Sequence, residues 1–286
     1  MQVRITGGLG NQLFQYFAGL EFCEKYFTKL SLDVSYYRLN QKYRFKHQCD
    51  LLGYDVIANS HQNHDRFPRT KRELISILAS LSTENQKRLG YLTDSSYDLI
   101  DFRRAHILDG YFQDRAFLPE LNTIEAKLKL NESQRNNIAP LRSRISQEGP
   151  ILIHIRRGDY LEFNSIYGVL DQEYYRRGCD LLFNKIGKRP IWLASDDVQG
   201  ALAWLGKKLP ITKILDPNKN YGAILTLELM SSFPGIIIAN STFSWWAAFL
   251  GTSRGTTQSV VIPKKFTLID KIDTSGKLAM NSWNIV

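Results

Sequence analysis

Five short, largely apolar runs in the second half of this 286-residue chain constrain its fold more than any other feature. They are Ile151–Ile155, Ile191–Ala194, Ile211–Leu215, Ile236–Ala239 and Val260–Ile262. Each has strand length, most are followed by turn-forming residues, and segments of helical length and pattern separate most of them. Largely apolar rather than alternating character means burial on both faces, as in a parallel sheet covered by helices. Ligands of such sheets bind at the carboxyl ends of the strands. The residues just after each run therefore carry the functional information.

The first half opens in a similar way. Val3–Thr6 is short and largely β-branched, Gly7-Gly8-Leu9-Gly10 turns the chain, and Leu13, Tyr16, Phe17 and Leu20 recur at the spacing of one helix face. Leu30–Asp33 reads as a second strand. Residues 35–110 are rich in Tyr, Arg, Asn and His, with a polar stretch from Ser60 to Glu73 and a helix predicted over Arg72–Leu81. The segment Asn131–Gly149 is polar, contains Pro140 and ends in Gly149-Pro150. That places a boundary between an N-terminal domain, 1–149, and a C-terminal domain, 150–286.

A formal charge of +9 calls for a polyanionic partner or surface. Nucleic acid, anionic lipid and a phosphorylated substrate all satisfy it. No recognisable nucleic-acid motif accompanies the charge, so nucleic acid is not expected, whereas peripheral contact with an anionic membrane is compatible with it. The three cysteines, Cys23, Cys49 and Cys179, are scattered and show no metal-ligand spacing, which predicts a reducing compartment without structural metal or disulfides. Met1–Ile5 reads as a strand rather than a signal peptide. The most apolar long stretch, Gly235–Gly251, is broken by Asn240, Ser241, Thr242 and Ser244 and falls short of the ~20 apolar residues of a membrane span. A soluble, cytoplasmic protein is expected, with any membrane contact peripheral.

Three polar motifs follow three of the runs. In His154-Ile155-Arg156-Arg157-Gly158-Asp159-Tyr160, His154 and Arg156 share one face of an extended segment. An arginine leaving a buried strand needs an anion, and its planar fork suits a diphosphate leaving group. An internal Arg156–Asp159 pair is the plainer reading of that arginine taken alone. In Ala194-Ser195-Asp196-Asp197, the carboxylates suit helix capping or the paired N–H donors of a guanine edge, and a third acidic ligand for a metal is not nearby. In Asn240-Ser241-Thr242-Phe243-Ser244-Trp245-Trp246, small residues begin a helix whose N–H groups can receive phosphate, while the tryptophans read as core. One sheet edge thus collects the elements of a nucleotide site.

The N-terminal Gly8-x-Gly10, with Asp33 ending the next strand, matches part of a dinucleotide fingerprint, so an NAD-type oxidoreductase is an alternative. Leu13 occupies the position of the third glycine, which weakens it. GxxxxGK[ST] is absent, which argues against a P-loop NTPase.

These residues resemble bacterial α-1,2-fucosyltransferases of glycosyltransferase family 11. The matching stretches are Gly7–Tyr16, Gly110-Tyr111-Phe112-Gln113, His154–Tyr160, Ser195-Asp196-Asp197 and Asn240–Trp246. The resemblance implies an α/β protein of two Rossmann-like domains, the GT-B type, with the donor in the C-terminal domain and the acceptor towards the N-terminal one. It implies fucose transfer with inversion from GDP-fucose to an oligosaccharide or lipid-linked glycan acceptor, without a metal or other cofactor. By position, Arg156 matches the arginine on the donor β-phosphate. His154 and one of Asp196 or Asp197 match guanine contacts, with Arg157 and Asp159 in the same motif. Asn240, Ser241, Thr242 and Phe243 match the loop on the phosphate and fucose side. Gly8, Gly10, Asn11 and Gln12 match a turn that faces the donor from the other domain. A transferase for another GDP-linked deoxysugar is the nearest alternative. Asp33 is a candidate base and equally a candidate turn cap, and no base is assigned.

Overall fold

The chain divides into two units, Met1–Lys129 and Leu130–Val286. The computed structural model describes residues 1–39, 48–54, 83–94, 106–206, 208–216, 221–268 and 277–286. The helix predicted over Arg72–Leu81 lies outside them, as does the polar stretch from Ser60 to Glu73.

The N-terminal unit is built on a four-stranded sheet in the order β2-β1-β4-β3, formed by β1 (Gln2–Arg4), β2 (Ser31–Asp33), β3 (Tyr91–Leu92) and β4 (Ile107–Leu108). All of its pairings are parallel. Helix α1 (Leu9–Lys25) follows β1 and buries Leu13, Phe14, Tyr16 and Phe17. It begins earlier than the glycine pattern implies, because Gly8 is its N-cap and Gly10 already belongs to its first turn. The turn itself falls to Gly7, whose φ of +72° is the left-handed conformation that glycine adopts without strain. Short helices α2 (Ser35–Leu39), α3 (Thr83–Leu89) and α4 (Leu121–Lys127), with 3-10 turns at Asp50–Gly53 and Arg115–Phe117, complete the described part of this unit.

The C-terminal unit begins with α5 (Glu132–Glu148), in the segment expected to be a polar boundary. The unit boundary lies between Lys129 and Leu130 instead of between 149 and 150. Asn131 and Gln134 form a capping box at the start of α5, and Gly149 ends it in the left-handed conformation. Only Ile138 and Ile145 are buried, one stripe of a mostly solvated helix, which is why the sequence shows no apolar periodicity there. Arg142 ties α5 to the unit through the buried carboxylate of Glu228, which also pairs with Arg254.

All five apolar runs form strands. In chain order the rest of the unit runs through β5 (Ile151–Ile155), α6 (Gly158–Glu162), α7 (Asn164–Tyr167), α8 (Gln172–Ile186), β6 (Ile191–Ser195), α9 (Val198–Leu205) and β7 (Ile211–Leu215). It continues through α10 (Gly222–Met230), β8 (Gly235–Ile237), α11 (Thr242–Ser253), β9 (Ser259–Ile262) and β10 (Asn284–Ile285). The sheet is six-stranded in the order β10-β9-β8-β5-β6-β7, and every pairing is parallel. Numbered within the unit, that order is the doubly wound 3-2-1-4-5-6. It has a switch point between β5 and β8, where the connections diverge and ligands of such sheets bind. Strands β5, β6 and β8 are buried throughout, as their largely apolar character requires. Helix α8 is strongly amphipathic, and Tyr174, Tyr175, Cys179 and Leu182 pack from it onto the sheet.

Among the described residues, no helix is long and apolar enough to cross a membrane.

Candidate functional site

Strand register assembles the site. Ile155 pairs with Ser195 across β5 and β6, so Arg156 and Asp196 are the next residues along two neighbouring strands. Ile153 pairs with Ile237 across β5 and β8, which carries the chain to Asn240 on the other side of the switch point. The three polar motifs therefore emerge side by side, with the arginine motif in the middle.

Arg156 reaches Asp159 at 2.7 Å and Asp196 at 3.2 Å, and its guanidinium lies 5.4 Å from the centre of the Tyr160 ring. The internal pair with Asp159 expected of an isolated arginine is thus present, joined by a second carboxylate that only the register supplies. Asp196 also accepts the backbone N–H of Arg157 at 3.0 Å. Its neighbour Asp197 accepts the N–H of Gly200 at 2.9 Å and caps α9. The two adjacent carboxylates therefore do different work, one holding the arginine and the other starting a helix.

His154 is buried inside β5, and its Nδ1 has no hydrogen-bond partner among the described residues. Burial pushes its pKa down to about 4 and Arg156 adds to the fall, against an opposing pull from Asp196. It is neutral at physiological pH, with one donor and one acceptor nitrogen. The Phe243 ring lies 6.2 Å away, from the first turn of α11. Ser241 is the N-cap of that helix, yet its side chain makes no capping hydrogen bond. Nor does Ser244 serve there, since its hydroxyl turns back to the carbonyls of Ala239 and Ser241. A 12-residue helix so presented beside an arginine has the chemistry of an anion site.

Other expected site residues make internal contacts. Asn240 is buried, and its amide donates to the carbonyls of Tyr167, Gly168 and Phe266, joining the loops after β5, β8 and β9. The Arg157 guanidinium lies over Trp204 at 5.2 Å and lines an open cleft of about 590 Å³ with Leu161, Asn164, Leu170 and Asp171. In the N-terminal unit Gln12 is fully buried; it donates to the carbonyls of Gly7 and Gln48 and accepts from the N–H of Leu51. It braces the turn of which Gly8, Gly10 and Asn11 are part. Asp33 accepts the N–H of Ser35 at 3.0 Å, the turn-capping alternative. Among the described residues, no group of three or more His, Cys, Asp and Glu is placed to hold a metal ion.

The sequence reading gave no role to Tyr160 or Trp204. Tyr160 donates from its hydroxyl to the Asn240 carbonyl at 2.9 Å and stacks on Tyr167 at 4.6 Å, bridging the loops after β5 and β8. Its place in the arginine motif was a usable signal. Trp204 sits in a separate helix, and nothing in the sequence links it to Arg157.

The model of the family described as "Glycosyl transferase family 11" matches residues 93–272, well over half of the chain and all three C-terminal motifs. The chain belongs to glycosyltransferase family 11. Among similar proteins is the O-antigen biosynthesis glycosyltransferase WbnK of Escherichia coli, 29% identical over 98% of each chain. An alpha-1,2-colitosyltransferase of Escherichia coli is 26% identical over 86% of each. Among solved structures, the fucosyltransferase NodZ from Bradyrhizobium has a TM-score of 0.54 at 15% identity, over 87% of this chain and 91% of NodZ. A crystal of NodZ alpha-1,6-fucosyltransferase soaked with GDP-fucose gives a TM-score of 0.55 at 14% identity. At that identity the likeness shows the fold, α/β with two parallel sheets, of the GT-B type.

In this family 11 glycosyltransferase Gly158 has no room for a side chain. A Cβ there would come within 2.4 Å of Asp196 Oδ2, forcing away the carboxylate that holds Arg156. Gly158→Ala is expected to leave thermal melting nearly unchanged and to lower kcat/KM for glycosyl transfer by about 10-fold or more, since small misplacements of a positioning group cost that much. Wild-type kinetics in that variant would show that the Asp196 contact is dispensable.

Proposed function

We propose that the protein transfers L-fucose from GDP-β-L-fucose to a hydroxyl group, the 2-hydroxyl of a galactoside, with inversion and without a metal ion, in O-antigen or related glycan synthesis. The observation that carries this reading is that Arg156 leaves β5 and the helix α11 follows β8, the two strands that flank the switch point of the C-terminal sheet. Family membership and the names of the relatives support it, as does the likeness of fold to a fucosyltransferase.

In this reading Arg156 binds the donor β-phosphate and neutralises the charge that develops as the bond to fucose breaks. The helix start at Ser241, Thr242 and Phe243 supplies the remaining positive potential. His154, neutral, and one of Asp196 or Asp197 are the groups we assign to the guanine edge. Asp159 and Asp196 fix the guanidinium before the donor arrives, so little reorganisation is needed at the moment of reaction. The net charge of +9 suits work at the inner face of an anionic membrane that carries lipid-linked acceptors.

A second reading keeps the site and changes the sugar. One relative is named for colitose, which is fucose without its 3-hydroxyl, so GDP-colitose is the alternative donor. The test is an assay of the purified protein with each donor and a set of galactosides, with products read by mass spectrometry and their linkage by NMR. Transfer of fucose to O2, unaffected by EDTA, is expected. A site that hydrogen-bonds the 3-hydroxyl would reject the colitose donor by orders of magnitude. Transfer from neither donor would overturn the reading.

A further inference from the structure

The motif Gly110-Tyr111-Phe112-Gln113 is left without a role by the donor site, and its conformation is unusual. Phe112 has a φ of +50°, a left-handed conformation that is strained for a bulky residue. Three devices hold it there. The Asp94 carboxylate accepts the consecutive N–H groups of Tyr111 and Phe112. The Phe112 ring is fully buried, edge-on to Phe117 at 5.5 Å and to Phe22 at 6.5 Å. Gln15 accepts the N–H of Thr6 and donates to the Thr6 hydroxyl and the Gly110 carbonyl, so the loop after β4 is fastened to the loop after β1.

This scaffolding turns Tyr111 outwards, 47% exposed, while the next residue but one, Gln113, bonds Asn11 through their side-chain amides at 3.1 Å. Both loops leave the carboxyl ends of neighbouring strands in the N-terminal sheet. The chain runs from β1 outward to β2 on one side and enters through β3 and β4 on the other. Ligands of parallel sheets bind at this carboxyl edge. An exposed ring stacks on the C–H face of a pyranose through its electron-rich surface, and amides both donate to and accept from sugar hydroxyls.

We infer that Tyr111 is the stacking platform for a neutral hexose of the acceptor, with the Asn11 and Gln113 amides reading its hydroxyls. The inference rests on the reading above in taking the acceptor to be a galactoside. Strain at Phe112 is what displays the ring. A relaxed backbone at that residue would change the direction in which Tyr111 leaves the loop.

The test has two readouts. In transfer assays, Tyr111→Ala should raise the acceptor KM about 10-fold, the size of a lost ring contact, with the donor KM unchanged, and Tyr111→Phe should restore most of it. Independently of catalysis, saturation-transfer NMR should detect lactose bound to the wild-type protein and lose that signal in Tyr111→Ala, while thermal melting stays the same. An unchanged acceptor KM, an equal change in the donor KM, or lactose binding that survives in Tyr111→Ala would each overturn the inference. Lactose binding lost in Tyr111→Ala, in a protein that transfers neither sugar, would uphold the platform and sink the proposed function alone.

Discussion

Arg156→Ala is expected to lower kcat/KM for fucosyl transfer on the order of 10²–10³-fold or more, the cost of removing a preorganised charge donor from a transition state. With an oxocarbenium-like sugar, most of the new negative charge gathers on the departing diphosphate, so leaving-group stabilisation dominates the barrier. The ion pairs of the site sharpen this expectation. Arg156 is held by Asp159 and Asp196, whose side chains are 18% and 21% exposed, so the guanidinium is already placed. Removing it leaves two partly solvated carboxylates facing each other, a modest penalty that a melting curve separates from the kinetic loss. Arg156→Lys keeps the charge but loses the planar fork, and should fall between alanine and wild type. Full activity in Arg156→Ala, in a folded protein, would sink the mechanism.

The second large effect is on stability. Trp245→Ala should destabilise the C-terminal unit by about 3–5 kcal/mol, as truncation of a buried aromatic does. Trp245 is fully buried, stacks on Phe249 at 5.0 Å, meets Trp246 edge-on at 5.3 Å and donates from its indole N–H to the Leu278 carbonyl at 2.9 Å. Alanine would leave both a cavity and an unpaired carbonyl. For a unit of this size the melting temperature should drop by roughly 10 °C, measurable by calorimetry or dye binding. Because α11 begins at the proposed phosphate site, the same variant should bind GDP more weakly. A drop of less than about 2 °C, well below the usual effect of such a truncation, would mean that this aromatic cluster does not hold the helix.

The second half of the chain was legible because its information is local. A strand buried on both faces must be apolar throughout, so β5 has the predicted limits, and β6, β8 and β9 differ by one or two residues at their ends. β7 also has the predicted limits, but it is the edge strand, carries Thr212 and Lys213, and is only partly buried. Helix α5 was missed for the opposite reason. It is polar almost all round and is held by caps and by the distant Glu228, so it lacks the periodicity that marks a buried helix face. The dinucleotide alternative rested on Gly8 and Gly10. Gly10 belongs to α1 rather than to the turn, and the family match removes the need for that reading.

Roles were less legible than positions. Asn240 and Gln12 have the residue type of ligand contacts, but their amides are spent on carbonyls and an N–H from several loops. The Arg156–Asp196 pair and the partition of duties between Asp196 and Asp197 likewise depend on residues that no spacing rule connects.

By itself, the sequence determined that Arg156 would emerge from a buried parallel strand in the company of carboxylates and a helix start, since composition and periodicity are properties of short segments. The tertiary structure alone decided that β5 lies between β6 and β8, and that Asp196 joins Asp159 in holding Arg156. It also turned Tyr111 outwards from a strained loop. Each of those outcomes depends on pairing between residues far apart in the chain, where the free energy lies in which segments meet rather than in what any one of them contains.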